Sequence, residues 1–166
     1  MTADGGGVQN GWLAQGQTTP TCFAASVRGN GVVTRGIVAD KPADAPAGAR
    51  GYQIQLAAPA NGAALDGDAK LLQSEQAGCA PTVDPAQNYT VRIRYRSTST
   101  ANNLTAFLRT ANGWQYWTDA AQLPASANWT VAEVKMPRLP AGVDRISFGL
   151  SISAAGRDRK STRLNS

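Results

Sequence analysis

The densest group of side chains able to do chemistry lies in one short stretch, Asn112-Gly-Trp-Gln-Tyr-Trp-Thr-Asp119. Aromatic faces beside polar tips suit recognition by stacking. A π-face receives the C–H groups of a ring such as a pyranose, and neighbouring polar groups satisfy its hydroxyls. The strand period of two puts Trp114 and Tyr116 on one face and Trp117 on the other. One face of such a strand must be core, so only part of the cluster is open to a ligand. Trp117 reads as the core member. Trp114, Tyr116 and Asp119 are the candidate ligand contacts, with packing or rim positions as the alternative for the two aromatics. Trp129, which opens a strand beside Thr130 and Val131, reads as core.

Charged groups offer less. Arg92, Arg94 and Arg96 form a basic row on the polar side of the stretch Tyr89 to Arg96. Such a row could meet an acidic polysaccharide, a phosphate or a nucleic acid. The simpler account is a solvated face paired with Asp or Glu of a neighbouring strand. Asp66 and Asp68 flank Gly67 and read as turn formers, because glycosidase carboxyls stand roughly 5–9 Å apart across a cleft and come from different elements. The chain has no histidine, which removes Ser-His-Asp and Cys-His catalysis, histidine-ligated zinc and histidine pH switches. Asp4 followed by glycines has the opening of a calcium loop, but its acidic partners at alternate positions are missing. The triplets at Asn88, Asn103 and Asn128 match the N-glycosylation pattern, and in a bacterial chain they would be strand-entry asparagines only.

The two cysteines cannot build a four-thiolate zinc site, which leaves two free thiols or one disulfide. Cys22 and Cys79 both sit in Pro/Thr-rich turns outside any CxxC motif, which favours the disulfide. A bridge from Cys22 to Cys79, closing a loop of roughly sixty residues, would stabilise the fold by about 4 kcal/mol in the chain-entropy account. It would also imply an oxidising compartment.

These groups must be positioned by strands. The 166 residues suit one domain, and 17 Gly, 9 Pro and only 16% charged residues favour an all-β chain over long helices. No run of about 18 apolar residues exists, so the sequence predicts no membrane-spanning helix. The start of the chain also lacks the basic and apolar regions of a signal peptide. Tyr89, Val91, Ile93 and Tyr95 alternate with Thr90, Arg92, Arg94 and Arg96, the clearest half-buried strand in the chain. Further strands are expected at 23–27, 32–38, 51–56, 69–74, 104–110, 114–118, 129–136 and 145–153, with a short one at 11–14. The first two of these form a pair around Arg28-Gly-Asn-Gly31, and Ala111-Asn-Gly113 makes a second hairpin turn. Gln122 to Ser126 is expected to be a loop. Many short strands separated by turns predict an antiparallel β-sandwich or jelly roll.

The last nine residues, Asp158-Arg-Lys-Ser-Thr-Arg-Leu-Asn-Ser166, break with everything before them. They match, residue for residue, one reading frame of a widely used sequencing adapter. Residues 1–157 are therefore expected to be a truncated native domain whose gene continues past Arg157, with 158–166 foreign to it. The tail carries three positive charges and one negative, so without it the net charge falls by two, from +5 to +3. That weakens any nucleic-acid reading of the arginine row.

A family resemblance rests on motifs in a fixed order: Pro20-Thr-Cys-Phe, Gly67-Asp-Ala-Lys-Leu, Gly78-Cys-Ala-Pro and Tyr89-Thr-Val-Arg-Ile-Arg-Tyr-Arg-Ser. They continue with Gly113-Trp-Gln-Tyr-Trp-Thr, Pro124-Ala-Ser, Trp129-Thr, Leu139-Pro-Ala-Gly and Ile146-Ser-Phe-Gly-Leu. Together these resemble the galactose-binding-like jelly roll of family 4/9-type carbohydrate-binding modules. Such modules are appended to secreted actinobacterial polysaccharide deacetylases and glycoside hydrolases. The likeness covers about residues 10–156. It implies that Cys22 and Cys79 are the family's paired cysteines. It also implies that a last, closing strand should follow Gly156, where the adapter stands instead. Members often hold a structural calcium with residues from both chain ends. No cofactor is otherwise required, and the residues themselves leave the metal unassigned.

The resemblance thus implies a non-catalytic, extracellular, polysaccharide-binding module joined to a missing catalytic domain, with neither nucleic acid nor membrane as partner. The alternative is a structural or protein-contact sandwich that spaces other domains and binds no glycan. An enzymatic role finds no histidine, metal cluster or positioned carboxylate pair to support it.

Overall fold

The computed structural model describes residues 21–45 and 47–153, with the backbone of Thr2 and Ala3. The expected strand at 11–14, the glycines after Asp4 and the segment 158–166 lie outside the described residues. The strands are β1 (Thr2–Ala3), β2 (Phe23–Gly29), β3 (Val32–Val38), β4 (Gly51–Ala57) and β5 (Gly67–Gln73), followed by β6 (Tyr89–Ser97), β7 (Asn102–Thr110), β8 (Gly113–Leu123), β9 (Ser126–Lys135) and β10 (Arg145–Ser153). All pairings are antiparallel. The order β2-β5-β10-β7-β8 makes a five-stranded sheet, β1-β6-β9 a three-stranded one, and β3-β4 a separate pair.

Alternation decides which face each strand buries. In β6, Tyr89, Val91 and Tyr95 are buried and Ile93 half-buried, while Arg92, Arg94 and Arg96 are exposed. The inward side chains Tyr89 and Val91 meet Leu104, Ala106 and Leu108 of β7 and Ile146 and Phe148 of β10. Two sheets with one apolar face each thus close on a shared core, which makes the chain an antiparallel β-sandwich. Met136, Leu139 and Val143, from the connection between β9 and β10, complete that core.

The expected β2–β3 hairpin does not form. β2 pairs with β5 and β3 with β4, so the chain changes sheets at Asn30. Gly29 and Gly67 face each other in register. A Cβ on Gly29 would stand 2.0 Å from the Asp66 carbonyl oxygen, and one on Gly67 would stand 1.9 Å from that of Arg28. Both also have positive φ, at +93° and +119°. These glycines therefore serve a close backbone approach rather than a hairpin turn. Asn30 fastens the same corner: its amide donates to the Ala64 carbonyl at 2.9 Å, and its Oδ1 accepts from the Asp66 N–H at 2.8 Å.

Two further expectations need correction. Gln122 and Leu123 belong to β8, which leaves only Pro124 and Ala125 between β8 and β9. Asp68 is not a turn residue: it lies within β5, 1% exposed and ion-paired with Lys70. The cysteines do form the Cys22–Cys79 disulfide, with Cα atoms 4.9 Å apart.

The arginine row is fully engaged. Arg92 meets Glu133 of β9 at 2.7 Å, Arg94 meets Asp44 at 2.5 Å and Arg96 meets Asp40 at 3.0 Å. Only the first partner comes from a neighbouring strand; the other two come from the segment after β3. The hydrogen bond from Arg94 holds the Asp44 carboxyl below its usual value, and the one from Arg109 does the same for Asp144, with Arg145 adding to it. A depressed carboxyl stabilises the fold above its unfolded pKa, and that contribution is lost as pH falls through the lower folded value. Both aspartates are solvent-exposed, so the effect is screened. In a carboxyl NMR titration both midpoints should fall below pH 3.8 at low salt and rise toward 3.8 as salt is added. A midpoint at or above 3.8 at low salt would contradict these pairs.

Candidate ligand-binding face

The principal hydrophobic cluster draws on one side of the five-stranded sheet, and Leu72 is a buried apolar side chain on the other. Leu104, Ala106 and Leu108 of β7 and Ile146 and Phe148 of β10 turn inward, so Thr105, Phe107, Ser147 and Ser151 project from the opposite face. Across β5 the register puts Lys70 beside Ser151 and Asp68 beside Ser153 on that same face.

The edge strand β8 joins this face by breaking its own alternation. Its register against β7 shifts between Ala106 and Phe107, and again between Leu104 and Thr105. Tyr116 stands opposite Phe107 but Thr118 opposite Ala106, which makes Trp117 an extra residue. Asp119 stands opposite Thr105 but Ala121 opposite Leu104, which makes Ala120 the second. Both extra residues pack against the core. Two bulges at an edge therefore turn Trp114, Tyr116, Asp119 and Gln122 all to the outer face, although strict alternation would set Asp119 against Tyr116. The three candidate ligand contacts share one face, and Trp117 takes the core position expected of it. Trp129 differs from expectation: it is half-buried in β9 and stands outside the principal hydrophobic cluster.

A polar row crosses four adjacent strands of this face. It starts at the Asp68–Lys70 ion pair on β5. It continues through Ser151 on β10, whose hydroxyl lies 2.7 Å from that of Thr105 on β7. It ends at Asp119 on β8, whose Oδ1 accepts from the Thr105 hydroxyl at 2.6 Å. Thr105 is 0% and Ser151 4% exposed, so the middle of the row is buried. Ser147, alongside, donates to the Gln73 carbonyl at 2.5 Å.

The aromatic end is open. Tyr116 is 49% exposed and meets Phe107 edge-on, with ring centroids 5.7 Å apart and planes at 81°. That contact limits the tilt of the Tyr116 ring while leaving it accessible. Trp114 is half-buried and in register with Arg109, whose guanidinium grips the Asp144 carboxylate at 2.9 and 2.5 Å. This pair raises Arg109 further above its usual value. The face therefore combines an exposed aromatic ring with a hydrogen-bonded polar row.

Phe107, Thr105, Ser151 and Lys70 were not singled out from the sequence. Lys70 two residues after Asp68 was the readable signal, since opposite charges at that spacing in a strand share a face. The others depend on cross-strand register, which alternation alone does not supply.

Among the described residues no group of three or more histidine, cysteine, aspartate or glutamate side chains could hold a metal ion, and no helix is long and apolar enough to cross a membrane. Comparison with family models, with curated proteins and with solved structures finds no match to this chain.

Proposed function

We propose that the chain is a non-catalytic, jelly-roll type carbohydrate-binding module, which tethers a covalently linked enzyme domain to a polysaccharide outside the cell. The observation that carries this reading is the gathering of Trp114, Tyr116 and Asp119 on one sheet face, with the Tyr116 ring exposed beside fixed hydrogen-bonding groups. The disulfide supports an oxidising compartment. The hydroxyls of Thr105 and Ser151 are 0% and 4% exposed, so neither is presented to a substrate it could attack, which favours binding over catalysis.

Pull-down of the chain with insoluble polysaccharides tests the reading. Some glycan should retain it, and Tyr116→Ala should weaken that binding about tenfold by removing the platform. The Tyr116–Phe107 contact favours a second reading, in which the aromatics only stiffen a spacer domain. In that case Tyr116→Ala lowers the thermal midpoint and no glycan retains either protein.

A further inference from the structure

Resting on the glycan-binding reading above, we propose that Asp119 is the hydroxyl-accepting group of this face, with Thr105 and Ser151 as its positioning residues. The face is thereby selective for neutral polyhydroxylated polymers over uronate- or sulfate-bearing ones.

The direction of the hydrogen bonds follows from elementary bookkeeping of protons. An ionised carboxylate can only accept, so the single hydroxyl proton of Thr105 goes to Asp119 Oδ1. Thr105 must then accept from Ser151, which fixes both hydroxyl rotors. With Thr105 fully buried and Ser151 nearly so, this relay pins one carboxylate oxygen from below. Asp119 itself is half-buried, three residues along β8 from the exposed Tyr116 ring. Its Oδ2 takes no hydrogen bond from any described residue. A fixed acceptor beside a stacking platform suits a ring hydroxyl, and a charged acceptor makes the stronger hydrogen bond.

The same charge discriminates. The Lys70 ammonium is paired with Asp68 on this face, and the Arg109 guanidinium with Asp144. Asp119 has no cationic partner among the described residues, so its negative charge stands uncompensated by them on the face that carries Tyr116. An anionic polymer laid along the platform meets like charge, which costs affinity for the wrong ligand without requiring any clash.

The test passes the full chain over neutral glucan, xylan and mannan, and over polygalacturonate and a sulfated glycan, with thermal midpoints checking the fold of each variant. The wild type should bind its preferred neutral polymer about tenfold more tightly than either anionic one. Asp119→Asn, which keeps the shape and removes the charge, should bring the two classes to within about threefold. Thr105→Val should weaken neutral binding by roughly fivefold, with recovery in Thr105→Ser, because only the hydroxyl aims the carboxylate. Should Thr105→Val not fold, Ser151→Ala reads the same relay and should weaken binding in the same direction. An unchanged neutral-to-anionic ratio in Asp119→Asn, or a wild-type preference for the anionic polymers, overturns the inference while leaving glycan binding in place. Retention of the wild type by none of the polymers overturns both.

Discussion

Removing the disulfide with Cys22→Ser and Cys79→Ser is expected to lower the unfolding free energy by about 4 kcal/mol. The two cysteines are 57 residues apart in sequence, and the loss follows the entropy that the bridge denies the unfolded chain. The folded state should change little. β2 keeps its whole ladder to β5, from Phe23 opposite Gln73 to Gly29 opposite Gly67. The Ser74 N–H still donates to the Cys22 carbonyl at 2.7 Å. Urea unfolding of the double variant beside the wild type provides the measurement. The midpoint should fall and the slope should rise, because an uncrosslinked unfolded chain exposes more surface. A difference under about 1 kcal/mol would mean that the unfolded chain already holds these segments together.

Asp68→Ala is expected to cost roughly 3–5 kcal/mol, since it takes the Asp68 carboxylate away from a buried ammonium. The Lys70 and Asp68 side chains are only 9% and 1% exposed, so solvent cannot replace the lost partner. Lys70 also stands in register with Ser151, in the interior of the sheet, where moving the ammonium outward would disturb the polar row. The physical signature is non-additivity. Asp68→Leu combined with Lys70→Met should recover most of the stability lost by either single change, because both charges of the buried pair are then removed together. A double-mutant cycle read by chemical unfolding decides this. Additive losses would show that the two groups are stabilised independently.

Strand placement was largely legible because apolar and polar residues alternate in the sequence. Tyr89 to Arg96 and Arg145 to Ser153 show this best, although in the second strand residues of both faces are buried. β8 shows where the approach fails. Its second half, Thr118 to Leu123, reads as irregular because Trp117 and Ala120 are each inserted against a straight partner. A bulge hides a strand from periodicity while extending it in space. The local signal at Arg28-Gly-Asn-Gly31 misled for a different reason. Glycine next to asparagine commonly marks a tight hairpin, but here the glycine is needed for close approach to Gly67, far away in sequence. Asp68 was misread for the same cause, since the neighbouring Gly67 suggested a turn. The candidate site was legible as a list of residue types at Trp114, Tyr116 and Asp119. The polar row that supports Asp119 was not, because it is assembled from four strands whose order no local pattern encodes.

The position of β10 has a consequence for biosynthesis. It is the last of the described strands to leave the ribosome, yet it lies at the centre of the five-stranded sheet, between β5 and β7. Until residues 145–153 emerge, the long-range pair β2-β5 and the hairpin β7-β8 are separate, each with an open edge of unpaired backbone groups. The apolar side chains of β7 then also lack Ile146 and Phe148 to cover them. Closure must therefore be a late, long-range event, of the kind that makes sheet proteins slow to fold and prone to associate while incomplete. A nascent chain stalled before Arg145 should accordingly be held by chaperones, and one stalled well beyond Ser153 should be released from them.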